Sequence, residues 1–378
     1  MGDVDDSGEQ AVASQQMTYR LAAAFYRAWQ EGRPVVGTEY VFEELVACMP
    51  SLRRGLEVDS LRDEPSARRR LRAGLRDLQS PEVAWSDDVD LLAATPRLDF
   101  EVSAVLRETA WKARRRMMVR RKPAVPAPVW SVGVRTAVRK ALMYAHHVGV
   151  RHAHGMHLLV GILEDPQGGA AELVTRLGVD PGKLLRRLPV TAGIRSDGMP
   201  VAPAAVALTI VGVLTTPRSS ALRVLARLLR AVSRAHLHTS VFPVALMHES
   251  VRQAVRVGSA DVGQAQLIPA MCAVDEQLRD TGRSLADPWV EHNCGGRILS
   301  AWGISSAASA RRSVRFRQGE VPPRQRWRWR TTRGDPPYGA DVTRTVERAE
   351  RYAAELGHPY VGTNHLLMAL LSDPSLPG

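Results

Sequence analysis

DVTRTVERAERYAAELGHPYVGTNHLLMALLSDP, residues 341–374, reads as two helices joined by a tight turn. Val342, Val346, Ala349 and Ala353 recur at helical spacing, and Gly357 follows where a left-handed residue would close the helix. After a four-residue loop and Gly362, Thr363 is placed to N-cap a second helix with the apolar stripe Leu366, Leu367, Leu370 and Leu371. Pro374 stops it.

The same grammar recurs without insertion in three other segments. In QEGRPVVGTEYVFEELVA, Gly32 and Gly37 keep the five-residue spacing and Val41, Phe42, Leu45 and Val46 fill the stripe. Gly149 begins a second copy with Leu158, Leu159, Ile162 and Leu163. In RVGSADVGQAQLIPAMC, Gly258 and Gly263 precede Leu267, Ile268, Met271 and Cys272. All sixteen stripe positions are apolar, so a helix, glycine, loop, helix unit is present four times. Gly32, Gly149, Gly258 and Gly357 stand 117, 109 and 99 residues apart, which leaves room for degenerate helices or linkers between copies.

Composition agrees with a mostly α fold. The 378 residues suffice for two or three domains, 45% are apolar and only 5% aromatic, and Ala and Leu outweigh β-branched runs. Cys48, Cys272 and Cys294 are too few and too scattered for a disulfide framework, which fits a reducing cytoplasm. The acidic start MGDVDDSGEQ lacks the apolar core of a targeting signal and reads as a disordered tail. The uncharged run GMPVAPAAVALTIVGVLTTP is interrupted by Pro200, Pro203 and Pro217, so Ala204 to Leu214 suits a buried helix and no membrane span is expected.

The net charge of +12 is concentrated in two places. KARRRMMVRRK, residues 112–122, has seven positive charges and no acid; residues 311–333 carry nine Arg against Glu320. Both lead into Pro-rich sequence and read as linkers. Within the second, RQRWRWR interleaves Trp327 and Trp329 with Arg324, Arg326, Arg328 and Arg330, a pattern that could grip phosphates and stack on unpaired bases. The competing reading is a solvated linker, and no helix-turn-helix or sheet platform accompanies the segment.

Five histidines, His146, His147, His152, His154 and His157, crowd the stretch HHVGVRHAHGMHLL. No cysteine joins them, and the nearest acids, Glu164 and Asp165, belong at the far end of the next helix. They read as loop and cap residues; no metal and no cofactor are expected. His157 aligns with His365. Catalytic groupings are equally lacking in the sequence: neither G-x-S-x-G nor H-E-x-x-H occurs, and His292 beside Cys294 is read as a chance pair.

GHPYVGTNHLLMALLSDP resembles the amino-terminal repeat of the Clp unfoldases. The second copy extends the likeness, since GGAAELVTRLGVDPGKLLRRL, residues 168–188, is similar to that family's third and fourth helices. GVDPGKL within it is one residue short of a phosphate-binding loop and ends in Leu184, so it reads as the turn into the fourth helix. The resemblance covers 131–188 and 338–374 best; the copies at 17–46 and 244–272 are weaker. Gln264 and Gln266 replace the Thr and His in the third copy, and His154 and Gly155 replace the Gly and Thr in the second. The resemblance implies divergent Clp-type helix-loop-helix repeats in four-helix bundles that receive substrates and adaptors, without the ATPase modules.

The expected organisation is a disordered tail over 1–16, a degenerate Clp-like unit over 17–111, and a basic, Pro-rich linker over 112–130. A second repeat follows over 131–192, a degenerate helical region holding the third repeat over 193–310, an Arg/Trp/Pro linker over 311–337 and a half repeat over 338–378. The half repeat leaves its leucine stripe partly uncovered and is expected to dock on an earlier unit or on a second subunit. Function follows the resemblance: a cytoplasmic, non-enzymatic adaptor, regulator or decoy for Clp-dependent proteolysis, with a Clp unfoldase, its adaptors or its substrates as partners. The contact residues it implies are His152, His157, Thr363, Asn364 and His365. The alternative is a nucleic-acid-binding protein acting through 311–333.

Overall fold

The structure is a computed structural model and describes residues 11–49, 52, 73–74, 83–84, 96–120, 126–187, 199–210, 213–214, 241–287, 289–313 and 334–373. It is predominantly helical, and the chain divides into two compact units, Met1–Val201 and Ala202–Gly378.

The first unit runs β1 (Val12–Ala13), α1 (Gln15–Gln30), β2 (Val35–Val36), α2 (Thr38–Cys48), α3 (Pro96–Arg120), β3 (Val129–Trp130), α4 (Val132–His147), β4 (His152–Ala153), α5 (Gly155–Leu163), α6 (Gly169–Arg176) and α7 (Pro181–Arg187). Its first helices start and stop alike. Ser14 caps α1 by accepting the Met17 N–H at 3.2 Å, and Ser131 caps α4 by accepting that of Val134 at 3.1 Å. Gly32 and Gly149 then turn the chain at φ 69° and 73°, where a side chain would be strained.

The strand before each first helix pairs with the loop strand of the other repeat. β1 lies parallel to β4, with Val12 opposite His152; β2 lies parallel to β3, with Val35 opposite Val129. The backbone bonds match pair for pair: Val12 N–H to Arg151 and Ser14 N–H to Ala153 on one side, Val129 N–H to Pro34 and Ser131 N–H to Val36 on the other. Every residue here is 117 positions from its counterpart, the same offset as between Gly32 and Gly149. The two repeats are therefore related by a pseudo-two-fold and each completes the other.

Beneath these ribbons the predicted stripes meet. Phe25, Val41, Phe42, Leu45, Val105, Leu106, Val138, Leu142, Leu158, Leu159 and Ile162 form one buried core, each large apolar side chain contributing about 1.5–3 kcal/mol on burial. Trp130 fills its centre with the ring 5.1 Å from Phe25 and its indole N–H donated to the Leu106 carbonyl at 3.0 Å. α4 and α5 approach so closely at Gly161 that a Cβ there would stand 2.6 Å from the Ala137 carbonyl oxygen.

Two expectations are corrected here. Order begins before residue 17: Val12–Ala13 are paired and α1 opens at Gln15, because β4 supplies β1 with a partner. Residues 112–120 are not linker but the last turns of α3, since Arg, Lys and Met are good helix formers and no Pro or Gly intervenes before Pro123. Ala113 is buried there, Lys112 pairs with Glu108 at 2.6 Å, and the Arg115 and Arg116 guanidinium groups lie over the rings of Trp111 and Tyr26.

The second unit holds α8 (Pro203–Ile210), α9 (Val241–Val257), α10 (Leu267–Asp280), α11 (Gly295–Ala301), α12 (Ala307–Ser313), α13 (Ala340–Glu355) and α14 (Thr363–Leu371), with a short 3-10 turn, Gln264–Gln266, ahead of α10. Among the described residues no helix is long and apolar enough to cross a membrane. Val262 in the third copy bridges Tyr338 before α13 in parallel, repeating the cross-repeat pairing of the first unit, and the Tyr338 hydroxyl donates to the Met247 carbonyl at 3.1 Å. The buried Glu249 carboxylate accepts Arg252, Gln253 and Gln277 at 2.8, 2.6 and 3.1 Å, and Arg311 donates to Gln253 at 2.7 Å. That network ties α9, α10 and α12 together, so residues 311–313 are helix rather than the start of a linker.

The half repeat docks within its own unit. α14 packs on α11, and Leu366, Leu367 and Leu370 are buried, while Leu371 stays 63% exposed. The third and the last copies thus make one body, and the outer edge of the leucine stripe faces solvent.

Candidate functional site

In three of the four copies the turn entering the second helix is built from one device. At α14 the N-cap is Gly362, in extended backbone, and the third helical residue, His365, turns its Nδ1 back to accept the Gly362 N–H at 2.9 Å. At α5, His157 Nδ1 accepts the His154 N–H at 3.1 Å while His154 Nδ1 accepts the N–H of Met156 at 3.1 Å. In the third copy Gln266 does the same through its amide oxygen, accepting the Gly263 N–H at 2.8 Å. The exchange of His for Gln noted in the sequence therefore preserves an acceptor at one fixed place.

Thr363 is not the cap that its sequence position suggests. It is the first helical residue, and its hydroxyl accepts the Gly295 N–H at 3.0 Å, at the start of α11. Thr38 plays the same part in the first unit, accepting the Ala170 N–H at 3.1 Å at the start of α6. Around Thr363 the two helix starts cap each other. Asn293 Oδ1 accepts the Thr363 N–H at 3.0 Å, Asn364 Oδ1 accepts the Cys294 N–H at 2.8 Å, and the Asn364 N–H reaches the His292 carbonyl at 3.1 Å. Backbone donors that a helix start leaves open are thus satisfied across the junction.

Three imidazoles close it. His365 Nε2 lies 2.8 Å from His358 Nδ1, and His292 stacks on His358 with centroids 3.9 Å apart at 20°. Tyr360 lies against His292 at 5.2 Å and Trp289 against Tyr360 at 4.5 Å. His365 is 1% exposed, and burial, reinforced by the neighbouring His358 and His292, pushes its pKa down to about 4. Burial likewise raises the Tyr360 phenol.

The expected contact residues therefore lie inside the turns. His152, His157, Thr363 and His365 are buried and Asn364 is partly so, and the side chains of His157, Thr363, Asn364 and His365 accept backbone N–H groups of the turns. Sequence reading missed Asn293, His292 and His358 as members of the same junction. The signal was Asn293, one residue ahead of the N-cap Cys294 of the helix that opens at GG in EHNCGG. Arg324, Arg326, Trp327, Arg328, Trp329 and Arg330 lie outside the described residues.

Burial, with Glu276 and Asp275 nearby, pushes the Cys272 thiol up to about 12, far from a reactive thiolate. The His292 ring faces His358, Tyr360 and His365, whereas the Cys294 thiol faces Arg297 at 2.9 Å and the Val290 carbonyl at 3.4 Å. Among the described residues no three His, Cys, Asp or Glu side chains are placed to hold a metal ion.

Paired helix-turn-helix repeats with capped corners define a helical interaction module. Residues 131–200 and 295–377 match the model of the Clp repeat (R) N-terminal domain. The first match covers α4 to α7, the second α11 to α14. Domains of this family are Clp-related protein-interaction modules. No curated protein matches the chain.

Proposed function

We propose that the chain is a non-enzymatic adaptor, regulator or decoy of Clp-dependent proteolysis, acting in the cytoplasm and binding a Clp unfoldase, its adaptors or its substrates. The observation that carries this reading is the Clp repeat itself, present in both units. The corners of the two best copies are its contact surface. Val148 and Leu356, just ahead of Gly149 and Gly357, are exposed apolar residues, and Met143 on α4 is exposed as well. The buried His152, His157, Thr363 and His365, with Asn364, shape these corners from within. Two corners on one chain also offer two attachment points, so weak contacts can sum to useful avidity.

The test is affinity capture on the tagged full-length chain, with and without nuclease, against purified Clp unfoldase and host lysate. Retention of the unfoldase or its adaptors, insensitive to nuclease and reduced at least tenfold by Val148→Asp with Leu356→Asp at unchanged thermal stability, supports the proposal. Nucleic acid retained in place of any Clp component supports the second reading, in which the Arg/Trp alternation of 324–330 is the binding element.

A further inference from the structure

We propose that His292, His358 and His365 form an acid-sensitive clasp: uncharged, the three rings hold the starts of α11 and α14 together, and protonation releases them.

The hydrogen bonds assign the protons. His365 Nδ1 accepts from the Gly362 N–H at 2.9 Å, so a neutral His365 carries its proton on Nε2. That atom is 2.8 Å from His358 Nδ1 and donates to it, which leaves the His358 proton on Nε2. The chain of bonds runs one way, from the Gly362 N–H through His365 into His358, and both rings are neutral. A proton added to His365 Nδ1 would point at the Gly362 N–H; one added to His358 Nδ1 would point at the His365 N–H. Either charge breaks a bond of the clasp, and both rings stand against the third imidazole of His292.

The surroundings give an added charge little help. From the turn ahead of α11, the Glu291 carboxylate comes within 3.9 Å of His292 Nε2 but is 80% exposed, and the Cys294 thiol is engaged by Arg297. From the turn between α13 and α14 the titratable neighbour is the Tyr360 phenol, with Trp289 behind it. The lowered pKa of His365 agrees with this arrangement. What a released clasp loses is the junction itself: the Gly362 cap, then the Asn293, Thr363 and Asn364 bonds that join the two helix starts.

The chain contains its own control. At the equivalent turn Gln266 accepts the Gly263 N–H at 2.8 Å with a group that does not titrate. A Gln at 365 can accept from Gly362 and donate to His358, and an Asn at 358 can replace the Nδ1 acceptor.

The experiment is hydrogen exchange by mass spectrometry on the full-length chain between pH 7.5 and 4.5, read as protection factors. Amides of 293–296 and 362–366 are expected to lose protection on the order of tenfold or more between pH 7 and pH 5, whereas the amides around Gln266 do not. His365→Gln with His358→Asn is expected to flatten the response of the first set. A wild-type junction that keeps its protection at pH 5, or a double variant that loses it as the wild type does, overturns the clasp. Should the double variant be unprotected at every pH, imidazole nitrogen shifts of the wild type decide. Neutral Nε2–H tautomers at His358 and His365 support the clasp, and an Nδ1–H tautomer at His365 overturns it.

Discussion

Gly362 sits where no Cβ fits, because the His292 carbonyl oxygen occupies the space. Its backbone is extended, so the requirement comes from crowding alone. Gly357, five residues earlier, is the reverse case: open space around it but φ of 70°. Gly362→Ala is expected to destabilise the second unit by roughly 2–3 kcal/mol in urea unfolding, whereas Gly357→Ala costs about 1 kcal/mol. Equal effects would contradict the distinction. His365 sets the sign of a pH effect. Its folded pKa of about 4 lies below the ordinary 6.5, so the unfolded chain takes up the proton more readily. Its contribution is therefore complete above about pH 6.5 and fades as the pH falls towards 4, visible as an acid-side drop in the urea midpoint that His365→Gln removes. At this scale the sequence was legible in part. The glycine spacing and the turn were readable, but Thr363 passed for a cap because Gly362 answers to a carbonyl some seventy residues away, and no local pattern reports that.

Helix starts and close approaches decide stability at the level of elements. Ser14 and Ser131 hold matching caps on α1 and α4, so Ser14→Ala and Ser131→Ala should each cost about 1 kcal/mol and should add when combined. Gly161→Ala should cost about 1–3 kcal/mol despite the better helix propensity of Ala, since the new methyl meets the Ala137 backbone of α4; a stabilised variant would show that the two helices can part without loss. The stripes of α2, α5, α10 and α14 were legible because a period of 3.6 survives in any sequence that buries one helix face. α3 was not: its charge run suggested a linker, yet cations in the last turns of a helix favour its dipole and Arg can lay its stem along neighbouring rings.

For the molecule as a whole, the last copy is a structural part of the second unit. Deleting residues 335–378 would remove the Tyr338 bridge to Val262 and the Thr363 and Asn364 bonds to α11. The shortened chain is expected to be cleaved by low protease between 241 and 313 at a rate at least tenfold above that of the full chain; equal resistance would show that α9 to α12 stand without it. The four copies were legible as copies, but which copy closes on which was not, since pairing is set by contacts between residues far apart in sequence, Val12 with His152 and Val35 with Val129, that leave no periodic trace.

The crossed ribbons of the first unit carry a further meaning. Each repeat owns both a leading strand and a loop strand, and each lends one to the other by matching bonds. Two separate copies of a single repeat could close on each other in the same way, with one surface serving both sides of the contact. The unit is, in geometry, a symmetric dimer written on one chain, as duplication and fusion of an ancestral gene would leave it. Joining the halves frees each from having to match itself. One half keeps Gly37 and Thr38 at its corner while the other carries His154 and Gly155, a divergence that a true homodimer could not hold.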